Sequence, residues 1–363
     1  MNMKNEERAG ASPSTRGASV QPHRGTGPLQ PRDTLDRPLH DLRISVTDRC
    51  NFRCVYCMPR EVFGPGFAFL PKEEILTFEE IHRLVTIFVG LGVEKVRITG
   101  GEPLLRRELE SLVAMLAGVE GITDLTLTTN ASLLARQAKA LGDAGLQRIT
   151  VSLDALDDVA FRAMSDVEVP VATVLAGIRA AEKAGLAPIK VNMVVKRATN
   201  EGQILKMAEH FRGTGHILRF IEFMDVGTSN GWKLDDVVSA REIRDTIDAR
   251  WPLEPIGANY AGEVAERYRY LDGGGEIGII ASVTRPFCAT CSRARLTADG
   301  EFFTCLFASR GHPLRDLLRS GASGTEVADR IRDIWTRRTD RYSEIRSRAT
   351  VGLPRVEMSR IGG

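Results

Sequence analysis

From Leu42 onward the chain alternates two patterns: short runs in which every second residue is apolar, and longer stretches in which apolar residues recur every three or four positions. The first belongs to strands and the second to amphipathic helices. Six strands are predicted, at 42–47, 93–99, 124–130, 147–154, 189–196 and 217–224. The clearest helix follows Thr77, an N-cap with Glu80 three residues on and an apolar stripe of Ile81, Leu84, Val85, Phe88 and Leu91. Strands separated by such helices imply βαβ units and a parallel sheet.

Residues two apart in a strand share a face. In five of the six strands one face is polar: Arg43/Ser45/Thr47, Lys95/Arg97/Thr99, Thr126/Thr128/Asn130, Thr150/Ser152/Asp154 and Lys190/Asn192. The opposite faces carry Leu, Ile, Val and Met. A parallel sheet covered on both sides reads instead as continuous apolar runs, so something polar must fill one side of this one. A complete eight-stranded barrel packs its interior with side chains, whereas six units leave a hollow for a large hydrophilic ligand. The expected architecture is an α/β fold, an incomplete (β/α)6 barrel; an open sheet with one solvated face is the alternative.

The pattern changes after about residue 232. A helix is predicted near 238–250, strands near 264–270 and 277–283, and a hairpin with Asp299-Gly300 as its turn, a strong two-residue turn signal. Helical stretches at about 313–320 and 324–338 follow. The expected division is a disordered extension at 1–36, the barrel at 37–235, a C-terminal unit at 236–345 and a tail at 346–363. The extension holds Gly, Pro, Ser and Arg with almost no large apolar residues, too few to offset its ordering entropy. Its Arg- and Ser-containing stretch faintly resembles an organellar transit peptide but lacks amphipathic periodicity, and no apolar segment of a secretory signal is present.

Length and composition narrow the classes. With 363 residues, 43% hydrophobic and 26% charged, the chain is an ordinary globular protein of about two domains. A net charge of +2 gives no field that calls for nucleic acid or an anionic membrane. The longest uncharged apolar run, Leu84 to Val93, falls far short of the roughly 20 residues that span a bilayer. A cytoplasmic enzyme acting on a small molecule is expected.

The six cysteines fall into two trios, Cys50-x3-Cys54-x2-Cys57 directly after the first strand and Cys288-x2-Cys291-x13-Cys305 across the hairpin. Without a sign of secretion, metal binding explains them better than disulfides. Structural zinc needs four ligands, and neither trio has a fourth Cys or an enclosed His; His40 and His312 fit no usual zinc spacing. A six-thiolate site joining both trios is a further option. Three thiolates can also hold a four-iron, four-sulfur cluster with one iron left open to a small molecule.

Cys50-Asn51-Phe52-Arg53-Cys54-Val55-Tyr56-Cys57 resembles the signature loop of the radical S-adenosylmethionine enzymes, and Gly100-Gly101-Glu102-Pro103 resembles their second motif. The second trio with Ser292-Arg293-Ala294-Arg295, and the terminal Gly362-Gly363, are similar to the GTP 3′,8-cyclase family of molybdenum-cofactor biosynthesis. The resemblance covers the chain from about Arg37 to the end. It implies two 4Fe-4S clusters, on Cys50, Cys54 and Cys57 and on Cys288, Cys291 and Cys305, with S-adenosylmethionine on the first and the guanine of GTP at the second. It further implies cofactor contacts from Tyr56, Gly101, Ser152 and Met224, substrate contacts from Arg43, Arg97, Thr128, Lys190, Arg293, Ala294 and Arg295, and a catalytic role for Gly362 and Gly363. The implied reaction takes H3′ from GTP by a deoxyadenosyl radical and joins C3′ to C8, giving 3′,8-cyclo-7,8-dihydro-GTP. One departure stands out: where the family commonly has Gly after Thr128-Thr129-Asn130, this chain has Ala131, which matters only if the turn needs a positive φ.

Two rivals remain at this point, a peptide-maturing radical enzyme with auxiliary clusters, which usually carries more C-terminal cysteines, and a non-catalytic zinc module acting on RNA. The resemblance also implies a one-electron donor, a downstream cyclic pyranopterin monophosphate synthase, and compatibility with a homodimer. No nucleic-acid or membrane partner is expected.

Overall fold

The computed structural model describes residues 30–346 and 355–362. Six strands, β1 (Asp41–Ser45), β2 (Lys95–Thr99), β3 (Asp124–Thr129), β4 (Arg148–Ser152), β5 (Lys190–Val195) and β6 (Ile217–Glu222), lie side by side in chain order, all parallel. They are joined through α1 (Phe78–Gly90), α2 (Leu109–Ala117), α3 (Leu134–Asp143), α4 (Asp158–Ser165) with α5 (Val171–Lys183), and α6 (Ile204–Phe211). The α1 start has the expected capping box: Thr77 Oγ1 accepts from the Glu80 amide at 3.2 Å, and the Glu80 carboxylate accepts from the Thr77 amide at 2.8 Å. Its stripe of Ile81, Leu84, Val85 and Phe88 is buried.

The core lies between sheet and helices. Leu42, Ile44, Val96, Ile98, Leu125, Leu127, Ile149, Val151, Val191 and Met193 are all buried there, each contributing roughly 1.5–3 kcal/mol relative to exposure. The alternation that buries them turns the polar residues of the same strands to the other side.

The second half of the chain supplies β7 (Leu253–Ile256), β8 (Glu266–Tyr270), β9 (Glu276–Ile280), β10 (Arg293–Leu296), β11 (Glu301–Phe303) and β12 (His312–Pro313). These do not build a separate sheet. β9 pairs parallel to β6 and β10 parallel to β1, so the later strands extend both edges of one twelve-stranded, open sheet. The expected boundary at 235/236 thus falls between β6 and a helix, α7 (Ala240–Asp248), inside a continuous hydrogen-bonded surface.

Two expectations need correction. The β10–β11 turn is longer than two residues: the Thr297 amide donates to the Glu301 carbonyl at 2.9 Å and the Gly300 amide to the Thr297 carbonyl at 3.0 Å, with Gly300 at φ +80°. A left-handed glycine ends a three-residue loop of this kind. The extension expected over 1–36 also folds earlier than its composition suggests. Residues 1–29 lie outside the described residues, but Gln30 donates from Nε2 to the carbonyls of Leu39 and Gly92 at 2.8 Å, and Asp33 is buried. No helix among the described residues is long and apolar enough to cross a membrane.

Candidate active site

The polar face of the sheet encloses a hollow of about 280 Å³. All six cysteines line it, the first trio from the loop after β1 and the second from the segment around β10. None is in a disulfide. Between the trios the wall includes Arg43, Arg97, Thr128, Asn130, Ser152, Asp154, Asn192 and Arg219, from β1 to β6 and the turns that follow them. Among the described residues no three Cys, His, Asp or Glu side chains are grouped to hold a single metal ion.

Register explains the charge of the floor. Arg43 pairs with Arg97 on one side and Arg295 on the other, and strands about 4.8 Å apart put three guanidinium stems in one row. A side cavity of about 30 Å³ adjoins the hollow, lined by Arg43, Lys95, Arg97, Lys190, Arg219 and Arg293 against two carboxylates, Asp41 and Glu263. Burial, then mutual repulsion with Arg295, Arg97 and Arg293, holds Arg43 well below its ordinary value. Burial and neighbouring cations likewise bring Arg219 down to about 9, Arg295 to about 10 and Lys190 to about 7. Cations crowded in this way are stabilised by an anion of high charge.

The thiols report their surroundings. Burial, reinforced by the Glu102 carboxylate, pushes Cys50 up to about 12, and burial raises Cys54 and Cys57 as well. Burial raises Cys305 to about 12. At Cys291 burial acts upward too, but the Arg293 and Arg338 guanidiniums outweigh it and bring the thiol down to about 6. Four of the thiols are thus raised by burial and one is lowered by cations, and a multivalent inorganic cation core is a group that lets buried thiols ligate as thiolates.

The first trio's loop is anchored on both sides. Tyr56 donates its hydroxyl to Asp154 at 2.8 Å, and Asp154, pushed up to about 6 by burial, also accepts from the Val194 amide at 2.8 Å. Arg53 donates to the Cys50 and Phe52 carbonyls at 2.7 Å. Glu102, raised to about 7 by burial, accepts from Thr129 Oγ1 at 2.6 Å, the Asn130 amide at 2.8 Å and the Leu104 amide at 3.1 Å. Those bonds fix the Gly100-Gly101 turn against the end of β3. A Cβ at Gly101 would run into the Arg49 backbone, so only glycine fits.

A model of the radical S-adenosylmethionine superfamily matches residues 44–211, and a model of the Molybdenum Cofactor Synthesis C family matches residues 216–344. A GTP 3′,8-cyclase of Acidothermus cellulolyticus is 57% identical over 320 residues, 87% of this chain and 88% of the relative. The chain belongs to the GTP 3′,8-cyclase family. Others of that name, from Xanthomonas campestris and Staphylococcus aureus, are 53% identical over 94% of this chain and 99% of the relative, and 47% identical over 92% and 99%. As a member of the radical S-adenosylmethionine superfamily, the chain carries a 4Fe-4S cluster and S-adenosylmethionine as its cofactors.

The site residues expected from the sequence fall in different places. Arg43, Tyr56, Arg97, Gly101, Thr128, Ser152, Met224, Arg293 and Arg295 line the hollow with the six cysteines. Lys190 lines only the side cavity. Ala294 departs from expectation: its side chain is fully buried in the core on the helix side, opposite Leu42, because the alternation that sends Arg293 and Arg295 inward sends it outward. Gly362 does not line the hollow itself but accepts from Arg295 Nη1, and a Cβ there would collide with Thr99. Gly363 lies outside the described residues. Ala131 sits at φ +61°, so the turn does require the left-handed region and the alanine carries a strain of about 1–2 kcal/mol.

Sequence reasoning missed Arg219, Lys95 and Asp154 as site residues, although strand alternation places all three inward. It also missed Arg37, Arg338 and Asp340, which line the hollow from segments with no local signal.

Proposed function

We propose that the chain converts GTP to (8S)-3′,8-cyclo-7,8-dihydroguanosine 5′-triphosphate, the first step of molybdenum cofactor biosynthesis, using two 4Fe-4S clusters that face each other across the hollow. The observation that carries this reading is that both cysteine trios, from opposite ends of the chain, line one cavity with a cationic floor. Cys50, Cys54 and Cys57 would hold the first cluster and Cys288, Cys291 and Cys305 the second, each with one iron left for a ligand. When bound, the first cluster and S-adenosylmethionine supply the one-electron chemistry that no side chain here can perform.

The chain's own residues bind, orient and exclude water. Arg43, Arg97, Arg293 and Arg295, with Lys190, Lys95 and Arg219, replace the hydration of a triphosphate bearing roughly four negative charges. The Tyr56–Asp154 bond fixes the loop against which an adenine would rest, and Ser152, Met224 and Gly101 complete that side. Thr128 Oγ1 accepts from Arg97 Nη1 at 2.9 Å, so the nucleotide's sugar meets a pre-set polar surface. Such pre-set positions matter because a misplacement of about 1 Å can cost on the order of a hundredfold in rate.

This reading assigns the two halves of the sheet to the two clusters, with an external one-electron donor and a downstream cyclic pyranopterin monophosphate synthase in the cytoplasm. Anaerobic incubation of the reconstituted protein with GTP, S-adenosylmethionine and a reductant tests it. The cyclised nucleotide, 5′-deoxyadenosine and about eight irons per chain are expected. Two zinc ions with no iron, or an unaltered nucleotide, would refute it. Sizing by light scattering tests the homodimer.

A further inference from the structure

The second cysteine trio is gripped by a buried network that draws on a segment before the barrel's first strand. Asp33 and Arg37 precede the region matched by either family model. Asp33 Oδ2 receives Arg37 Nε at 2.6 Å and Arg338 Nη1 at 3.3 Å, so one carboxylate holds both guanidiniums. Its other oxygen accepts the amides of Leu35 at 2.9 Å and Arg37 at 3.0 Å. The three side chains are 0%, 2% and 1% exposed for Asp33, Arg37 and Arg338. Their burial is costly, several kcal/mol per ion before pairing.

Each guanidinium reaches a different cysteine. Arg37 Nη1 donates to the Cys288 carbonyl at 2.8 Å. Arg338 donates from Nη1 to the Cys291 carbonyl at 2.7 Å and from Nη2 to Cys291 Sγ at 3.2 Å. The third cysteine is reached through Asp340, which accepts from Thr304, the residue before Cys305, at 2.6 Å, and whose carbonyl accepts from Arg37 Nη1 at 2.8 Å. Trp335 backs the network, donating Nε1 to the Arg37 carbonyl at 3.1 Å with the Arg338 guanidinium 4.6 Å from its ring centre. One donor is left over: among the described residues Arg37 Nη2 is buried with no hydrogen-bond partner, and Arg37 lines the hollow. A buried unpaired guanidinium N–H costs more than an ordinary lost bond, and an electron-rich inorganic group at the trio is what would satisfy it.

We propose that Asp33, Arg37 and Arg338 are positioning residues for the second cluster, aligning its cysteines and setting its reduction potential through charge-assisted N–H···S bonding. This rests on the two-cluster reading above. Asp33 pairs with both guanidiniums, and Arg338 turns an N–H onto Cys291 Sγ. Hydrogen bonds and positive charge at cluster sulfurs stabilise the reduced form and raise the potential. The first trio has no comparable contact from this network, so its cluster is left unaffected.

The test is an electron-paramagnetic-resonance redox titration of the reconstituted full-length protein, with iron content measured on the same samples, for wild type, Arg338→Met and Arg338→Lys. Wild type with only about four irons refutes the two-cluster reading itself, a different failure from that of the clamp. With about eight irons in all three proteins, Arg338→Met is expected to lower the second cluster's midpoint by a tenfold change in the one-electron equilibrium, about 59 mV, with the first cluster's signal unmoved. Arg338→Lys is expected to recover part of that shift. An unchanged midpoint and line shape in Arg338→Met overturns the proposal. If Arg338→Met instead holds about four irons, recovery of about eight in Arg338→Lys supports it, and persistent loss overturns it by reducing Arg338 to a folding role.

Discussion

Arg295 donates from Nη1 to the carbonyl oxygen of Gly362, so a guanidinium on the floor of the hollow holds the next-to-last residue of the chain. Gly362 is at φ +70°, and an added Cβ would meet Thr99 on β2. Both facts exclude a side chain there. Gly362→Ala is therefore expected to push the tail out and release Arg295, lowering nucleotide cyclisation on the order of a hundredfold while S-adenosylmethionine binding stays within about twofold, well under the 1.4 kcal/mol of a tenfold change. Product chromatography and a binding isotherm read the two. Unchanged turnover would mean the tail is only a frayed terminus.

Glu222 is fully buried at the end of β6 and accepts from the amides of Ala240 at 2.7 Å, Val283 at 2.7 Å and Thr284 at 2.9 Å, with the Thr284 hydroxyl also bound. One carboxylate thus ties the barrel's last strand to α7 and to the turn that leads into Cys288. Glu222→Ala leaves those donors unsatisfied, at about 1–3 kcal/mol for each buried group. A fall in thermal midpoint of several degrees is expected by calorimetry, together with loss of iron from the second trio before the first.

The two trios are expected to fail differently. Cys54→Ser should abolish 5′-deoxyadenosine formation, because the first cluster loses a ligand. Cys291→Ser should keep the first cluster and its cleavage of S-adenosylmethionine yet make no cyclised nucleotide. Normal cyclisation by Cys291→Ser would remove the second trio from the reaction. Parallel assays of deoxyadenosine and nucleotide product on anaerobically prepared protein decide between these outcomes.

What could be read from the sequence follows from range. Strand alternation is local, and it placed Arg43, Arg97, Thr128 and Ser152 on the face that forms the hollow. The capping box of α1 and the cysteine spacings are local as well. The outward turn of the Ala294 side chain was not visible in the motif, which treats Ser292 to Arg295 as a block, whereas a strand sends the residue between Arg293 and Arg295 to the opposite side. The twelve-stranded continuity was hidden because β10 joins β1 across most of the chain's length, and no periodicity records such a pairing. Asp33 and Arg338 met for the same reason: an Arg in a helix-end segment and an Asp in a Pro- and Arg-rich stretch look solvated until the fold buries them together. Arg219 was overlooked because β6 lacks the polar face of the other five strands: its neighbours on that side, Ile217 and Ile221, are apolar.

Lys190 makes the charge of the side cavity sensitive to pH. Burial, then repulsion from Arg219, Arg148 and Lys95, brings its ammonium down to about 7, so at pH 8 roughly nine-tenths of the free protein carries it neutral. A bound triphosphate favours the charged form and returns the pKa toward its ordinary range. Binding at pH 8 must then take up nearly one proton, and affinity must fall as pH rises above 7, by up to about tenfold per unit. Titration calorimetry with GTP in two buffers of different protonation enthalpy measures the uptake directly, at a pH where the nucleotide's own phosphates are already ionised. Lys190→Arg keeps its charge throughout this range, so its uptake at pH 8 should shrink to the small share left by Arg219, which burial and neighbouring cations hold at about 9, and its affinity should change far less than the wild type's between pH 7 and pH 8. Equal heats in both buffers for the unaltered protein would place Lys190 away from the phosphates.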